Sequence, residues 1–314
     1  MRVAVCSRSF SKNISLRQEI TKRYKNVKFN DLGKSFDDDS LVSFLSGYDA
    51  AIIGLEAINK RVLEKLPSLK VIGKYGVGLD KIDFLACANN NIRIGWTPGV
   101  NAVAVAELAL NLSLTIVRRS AISNNIVKIG AWQQTVGREM SSLTVGILGC
   151  GHVGRTFLRL LSGFDCDIIV HDKLDKFDIC NFYGAKQVDF ESLVRNADLI
   201  SIHLPESAET KHLLGHGFVE EMKNDTYIVN TARGGLLNPS ELLSALESGK
   251  LAGVALDVLP DEPPIESALI NHQNCYVTAH IGGSSEEAIL NMGLAAIDGL
   301  KDHKHALDFI KSEI

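Results

Sequence analysis

The chain is 314 residues long, 46% hydrophobic and 22% charged, with a formal charge of −4 at neutral pH. That length suits two globular domains with ample core, and the composition excludes a disordered or low-complexity chain. A small negative charge with no long basic run argues against nucleic acid as the main partner; with no apolar run of about 18 residues and no secretory leader, the expectation is a soluble, unprocessed, cytoplasmic protein without a membrane partner.

Arg2–Cys6 predicts a first strand, then a polar turn and a helix from Ser15, with Ser15 and Gln18 in a capping-box pattern. Asp49–Leu55 and Leu69–Lys74 predict strands, with helices near Ser40–Ser46 and Asn59–Leu66 between them. The second strand runs into a glycine loop, Lys74-Tyr75-Gly76-Val77-Gly78; a helix over Asp80–Asn90 and a strand over Ile92–Trp96 follow. Thr97-Pro98-Gly99 breaks the chain and marks a domain boundary. Asn101–Val117 predicts a helix apolar almost all round, so it must be buried on several sides. A homodimer interface is the preferred reading over a helix central to one subunit, and an irregular arm through Trp132 should follow.

Thr144–Leu148 predicts a strand that ends in Gly149, Gly151 and Gly154, a G-x-G-x-x-G turn, and Val153, Phe157, Leu160 and Leu161 then recur at helical spacing. A strand over Cys166–Val170 leads to Asp172, an acidic residue about 20 positions past the turn. Four more strands end in polar residues. Asp198–Ile202 runs into His203-Leu204-Pro205, Tyr227–Asn230 into Thr231-Ala232-Arg233-Gly234, Ala252–Leu256 into Asp257, and Cys275–Ala279 into His280. Between them lies a punctuated helix with Asn238 as cap, Pro239 in the first turn, Glu241 closing a capping box and Gly249 as stop. The helix Ser284–Leu300 should return to complete the first domain.

Strands alternating with helices imply parallel α/β layers, and in such sheets ligands bind at the C-terminal strand ends. The glycine turn alone is a weak signal. Between a strand and a helix, with Asp172 placed to take ribose hydroxyls and repel a 2′-phosphate, it points to NAD rather than NADP. The strand ends bring Asp172, Arg233, Asp257 and His280 to the same edge. An imidazole titrates near working pH, so His280 suits acid/base work, with Glu262 of Pro260-Asp261-Glu262-Pro263-Pro264 as its partner. Arg233, with its permanent forked charge, suits a substrate carboxylate and a developing negative charge on a carbonyl oxygen, which points to a 2-hydroxy or 2-keto acid. Taken singly, each has a plainer reading: a strand-end histidine is often a hydrogen-bonded core residue, and an arginine before Gly-Gly often bridges a turn. Convergence beside a nucleotide turn favours function.

No G-x-S-x-G elbow offers a Ser-His-Asp alternative. His171, His212, His216, His272, His303 and His305 lack metal spacing such as H-E-x-x-H, so no metal is expected and they are read as surface or packing residues. Six cysteines without a C-x-x-C pair are expected reduced in the core.

KYGVGLDKID, TPGVNAVAVAEL, GILGCGHVG, NTARGGLLN, ALDVLPDEPP and AHIGGSSEEA each resemble a block of the D-isomer-specific 2-hydroxyacid dehydrogenase family, in family order, over about Lys74–Ala288. The resemblance implies an α/β fold of two doubly wound parallel-sheet domains. A Rossmann NAD-binding domain, residues 99–286, is inserted into a flavodoxin-like substrate domain of residues 1–98 and 287–314. It implies Arg233, Glu262 and His280 as the catalytic trio, and NAD contacts along Gly149, Gly151, His152, Val153 and Gly154, at Asp172, at His203 and Pro205, and at Thr231, Ala232 and Arg233. Asp257 is implied beside the nicotinamide amide, with further contacts from His280 to Gly283, Gly282 included. The amides of Val77 and Gly78 are implied to hold the substrate carboxylate with Arg233, with closure of the two domains around the substrate.

Lys74 stands where phosphoglycerate-using members carry a basic residue, so 3-phosphoglycerate leads as substrate, with glyoxylate and hydroxypyruvate as alternatives. After Trp132, where those members place further basic residues, this chain departs with Gln133-Gln134-Thr135-Val136. Ending at Ile314, it is expected to lack the C-terminal regulatory domain of longer phosphoglycerate dehydrogenases and feedback by serine through it. The alternative of another class is an NAD(H)-sensing binding protein like the corepressors of this family.

Overall fold

The computed structural model describes residues 1–215, 217–264 and 267–310, so His216 and residues 311–314 of the expected first domain lie outside the described residues. The strands are β1 (Arg2–Val5), β2 (Asn26–Phe29), β3 (Ala50–Ile53), β4 (Val71–Lys74), β5 (Arg93–Gly95), β6 (Thr144–Leu148), β7 (Asp167–His171), β8 (Lys186–Gln187), β9 (Leu199–Ile202), β10 (Thr226–Asn230), β11 (Leu251–Leu256), β12 (Cys275–Val277) and β13 (Lys304–His305). The chain divides into two compact units, Met1–Asn101 with Gly283–Ile314, and Ala102–Gly282. These divisions fall after Asn101 and Gly282 rather than after Pro98 and Glu286. Gly283 lies against Asn101 and Met292, whose atoms would stand 3.3 and 3.4 Å from a Cβ there, and so belongs with the first unit.

The first unit is a six-stranded sheet in the order β13-β5-β4-β3-β1-β2, parallel apart from the short β13 against β5. Leaving β13 aside, this is the flavodoxin-like order, with its reversal between β1 and β3. The helix Glu286–Gly299 packs on it so closely that Gly73 and Gly95 meet the backbone of Ala296 and Gly299, where a Cβ would overlap. The second unit is a seven-stranded parallel sheet, β12-β11-β10-β9-β6-β7-β8, whose order reverses between β6 and β9. Side chains alternate along its strands. Val145, Ile147, Leu199 and Val229 pack on one face with the helices Ala102–Val117 and His152–Leu161, while Leu148, Ile200, Ile202 and Ile228 pack on the other with Leu193 and Leu242. Burial on both faces is why these strands read as continuous apolar runs.

Four local expectations are corrected. The first long helix is Ile14–Arg23, capped not by Ser15 but by Asn13, whose side chain accepts the Leu16 N–H; that start turns Leu16 and Ile20 into the core. The polar turn before it is itself a short helix, Arg8–Lys12. The helix expected over Asp80–Asn90 is Phe84–Asn89, because Asp83 caps it and Ile82 is held in a bridge to Ile58. The arm beyond Val117 is not irregular from its start: Arg119, at φ 54°, turns the chain into a helix Ser120–Lys128, which its Ser and Asn content hides from propensity. Among the described residues no helix is long and apolar enough to cross a membrane.

Candidate active site

The second unit concentrates its polar strand ends on one edge. The reversal between β6 and β9 leaves a crevice there, and the glycine turn after β6 fills it. Each glycine has a separate reason. Gly149 sits at φ 94° and a Cβ on it would press on His203 O at 2.9 Å and Leu204 Cδ2 at 2.8 Å. A Cβ on Gly154 would overlap the Gly149 carbonyl oxygen, whereas one on Gly151 would meet nothing within 4 Å. The turn is therefore closed at its first and third glycines and open at its second. The helix His152–Leu161 starts there without a side-chain cap, and among the described residues the amides of Gly151, His152 and Val153 make no hydrogen bond within the chain. Uncapped amides at a helix start, next to open space, suit a pyrophosphate.

Asp172, just past β7, accepts Cys150 N–H on Oδ2 at 2.7 Å and Leu174 N–H on Oδ1 at 2.9 Å, with Lys176 Nζ 4.0 Å from Oδ1. His203, past β9, packs its ring 5.1 Å from that of Phe157 and contacts Ser201 Oγ through Nε2 at 3.0 Å. Burial pushes its pKa down to about 3, and its enclosed Nδ1 has no partner among the described residues. Thr231, past β10, likewise has an enclosed Oγ1 without a partner. Orphaned buried polar atoms are costly, and both stand on the edge that a dinucleotide would cover. Pro205 is exposed and Ala232 half-buried on the same edge. The residues present thus fit an NAD-type cofactor.

Arg233 follows in extended backbone, its loop tied by Asn230, which receives Ala232 N–H at 3.0 Å and donates to the Arg233 carbonyl at 2.8 Å. Arg233 Nη1 donates to the Ala232 carbonyl at 2.7 Å. Beyond β12, His280 Nδ1 lies 2.7 Å from Glu262 Oε2, while Glu262 Oε1 accepts Leu259 N–H at 3.0 Å. The imidazole is 46% exposed and the carboxylate 37%, so the pair faces outward rather than into the core.

His280 adopts φ 52°, an uncommon conformation for a non-glycine residue. Asp257 holds it there. The Asp257 carbonyl accepts His280 N–H at 2.9 Å, and its carboxylate takes Thr278 Oγ1 at 2.6 Å and the amides of Ile281 and Gly282 at 2.8 Å each. Asp257, expected beside a nicotinamide amide, is 1% exposed, and its carboxylate is bonded to the loop that carries the histidine. The expected loop contact Gly282 is buried beneath it, and Gly283 lies with the first unit.

In the first unit, Lys74 ends β4 at 7% exposure, and its Nζ donates to the carbonyls of Gly54 at 2.6 Å and Tyr75 at 3.1 Å. Gly76 then turns at φ 100°, and Trp96 Nε1 donates to Val77 O at 3.1 Å. Among the described residues the amides of Val77 and Gly78 make no hydrogen bond within the chain. All six cysteines are free, and burial pushes the thiols of Cys87 and Cys275 up to about 12 and that of Cys180 to about 11. The side chains that sequence reasoning missed are Gln187, on a strand of two residues, and Asn230, which reads as part of an apolar strand.

Residues 110–282 match the model of the D-isomer specific 2-hydroxyacid dehydrogenase family, NAD binding domain. The chain belongs to that family. It is 33% identical over 260 residues to the D-3-phosphoglycerate dehydrogenase of Archaeoglobus fulgidus, covering 82% of this chain and 49% of that protein. It is also 33% identical over 268 residues to the glyoxylate reductase of Thermococcus litoralis, covering 82% of this chain and 79% of the relative. The chain thus spans about half the length of the phosphoglycerate dehydrogenases it matches. Among solved structures, a glyoxylate reductase from Paecilomyes thermophila superposes with a TM-score of 0.84 at 28% identity, over 96% of this chain and 94% of that one.

Proposed function

We propose that the protein is an NAD-dependent oxidoreductase that interconverts a D-2-hydroxy acid and its 2-keto acid. The observation that carries this reading is the Glu262–His280 pair, 2.7 Å apart on the sheet edge that also holds the uncapped glycine turn. When bound, the nicotinamide supplies or accepts the hydride. The chain's own residues handle the proton and the charges. Glu262 takes the Nδ1 proton in a hydrogen bond and orients the ring, which leaves Nε2 to give a proton to the carbonyl oxygen or remove it from the hydroxyl. Arg233 takes the carboxylate and offsets charge on the reacting oxygen. Asp257 and Asn230 act one step back, as positioning residues for His280 and Arg233. In the first unit, the unbonded amides of Val77 and Gly78 are donors for a substrate oxygen. Asp172 is assigned to the ribose hydroxyls and favours NAD over NADP.

Relatives named phosphoglycerate dehydrogenase and glyoxylate or hydroxypyruvate reductase match at similar identity. 3-Phosphoglycerate remains the leading substrate, on Lys74. The second reading, glyoxylate or hydroxypyruvate, is supported by the bonds of that ammonium to the carbonyls of Gly54 and Tyr75 and by Gln133 and Gln134 in place of cations. A homodimer through Ala102–Val117 belongs to the proposal: Val103 on that helix is 53% exposed and Trp132 on the following arm 90%. Light scattering should give twice the chain mass.

The test is purified protein with NADH and a panel of phosphorylated and unphosphorylated 2-keto acids. Oxidation of NADH by one of them supports the reading, and no turnover on any rejects it in favour of an NAD(H)-sensing binding protein. Within a working assay, His280→Ala should lower kcat by roughly a thousandfold. Arg233→Ala should chiefly raise KM for the keto acid.

A further inference from the structure

The edge strand β8 carries a side chain that organises the cofactor edge from outside it. Gln187 Oε1 accepts Lys176 N–H at 2.7 Å, and its Nε2 donates to the carbonyls of Leu174 at 2.9 Å and Asp172 at 3.4 Å. One carboxamide thus closes both ends of the turn 172–176. Within the turn, Asp172 receives Leu174 N–H on one oxygen and Cys150 N–H on the other. Lys176 Nζ stands 4.0 Å from Oδ1, and both side chains are 14% exposed. The direction of the Asp172 carboxylate is therefore set by the glycine turn, by its own turn and, through that backbone, by Gln187.

A carboxylate oxygen has two lone pairs. Each oxygen of Asp172 keeps one after its backbone bond, so the group presents two acceptor sites in fixed directions, the pattern that meets a vicinal diol. Held by its own residues alone, a five-residue turn leaves that direction loose. We propose that Gln187 is a positioning residue for the cofactor, aiming Asp172 at the hydroxyls of the adenosine ribose. This rests on the NAD reading above. It assigns Gln187 to affinity for one end of the cofactor and to no part of the chemistry at the other.

The test compares NADH with its analogue lacking both the 2′- and 3′-hydroxyls of the adenosine ribose, titrated calorimetrically against wild type and Gln187→Met, which keeps volume but loses all three hydrogen bonds. The Kd for NADH should rise about tenfold in the variant and that for the analogue less than about twofold, because the analogue already lacks the bonds that misaimed Asp172 would lose. kcat at saturating NADH should stay within about twofold of wild type. Gln187→Glu, which keeps the acceptor for Lys176 N–H but not the donors, should fall between the two, and it is read in the same way if Gln187→Met does not fold. Equal weakening of both ligands, or of neither, overturns the proposal. A wild-type chain that binds no NADH overturns the cofactor reading and this proposal with it, and is recognised because it fails before any substitution is made.

Discussion

Two glycine loops, one in each unit, leave amides at the end of a parallel strand unbonded among the described residues, yet they are held in different ways. The loop after β6 is shaped by itself: Gly149 takes the left-handed turn, and Gly154 packs where any Cβ would overlap the Gly149 carbonyl. The loop after β4 is held by distant groups. Lys74 ties its start to Gly54, Trp96 holds Val77, and Ile82 bridges to Ile58 beyond its end. The first is a steric device encoded in six residues; the second is a set of tethers that exist only once β3, β4 and β5 are paired.

This contrast breaks if substitutions in the two loops act alike. The largest effect is expected from Gly154→Ala, which must open the turn and should weaken NADH binding roughly a hundredfold, about 3 kcal/mol, with a loss of stability in urea unfolding, whereas Gly151→Ala, whose Cβ meets nothing in the chain but enters the space assigned to the pyrophosphate, should weaken NADH binding and leave stability unchanged. Lys74→Met should cost about 2 kcal/mol in urea unfolding by leaving two enclosed carbonyls without their partner, with NADH affinity unchanged.

A pH-dependent effect tests the wall of the first loop. The His203 imidazole protonates near 6.5 in the unfolded chain but only near 3 when folded, so the unfolded state binds more protons between these values. Its contribution is complete above pH 6.5 and is lost as the pH falls toward 3, by up to about 1.4 kcal/mol per unit, so His203→Gln should flatten the stability profile across that window. The smallest change belongs to Trp96→Phe, which removes the bond to Val77 and should cost about 1 kcal/mol in the same unfolding assay. Equal loss of NADH affinity in Lys74→Met and Gly154→Ala would show that the two loops are not independent.

The comparison also explains which parts of the molecule were legible beforehand. The glycine turn, the six long strands of the second unit and the polar residues at their ends could be read because both-face burial writes continuous apolar runs, and left-handed turns need glycine. Strands of two residues leave no such mark, so β8 and β13 went unread, and Gln187 with them; β2, an edge strand of four residues with none fully buried, went unread as well. The helix Ser120–Lys128 was hidden for a related reason: no residue in it is fully buried, and a sequence rich in Ser and Asn has no strong local preference. Asn13 outcompeted Ser15 as a cap because the burial of Leu16 and Ile20 chose the helix start.

Local sterics and burial pattern determined the class of fold and the glycine turn, since a positive φ, a missing Cβ or an apolar run is a property of a few adjacent residues. Tertiary structure alone decided what each charge faces. Asp257 lies under the His280 loop because β11 pairs with β12, and Asp172 is aimed jointly by Cys150 and Gln187 because β7 sits between β6 and β8. Parallel pairing brings together residues far apart in the chain, and no short-range spacing records which of them will meet.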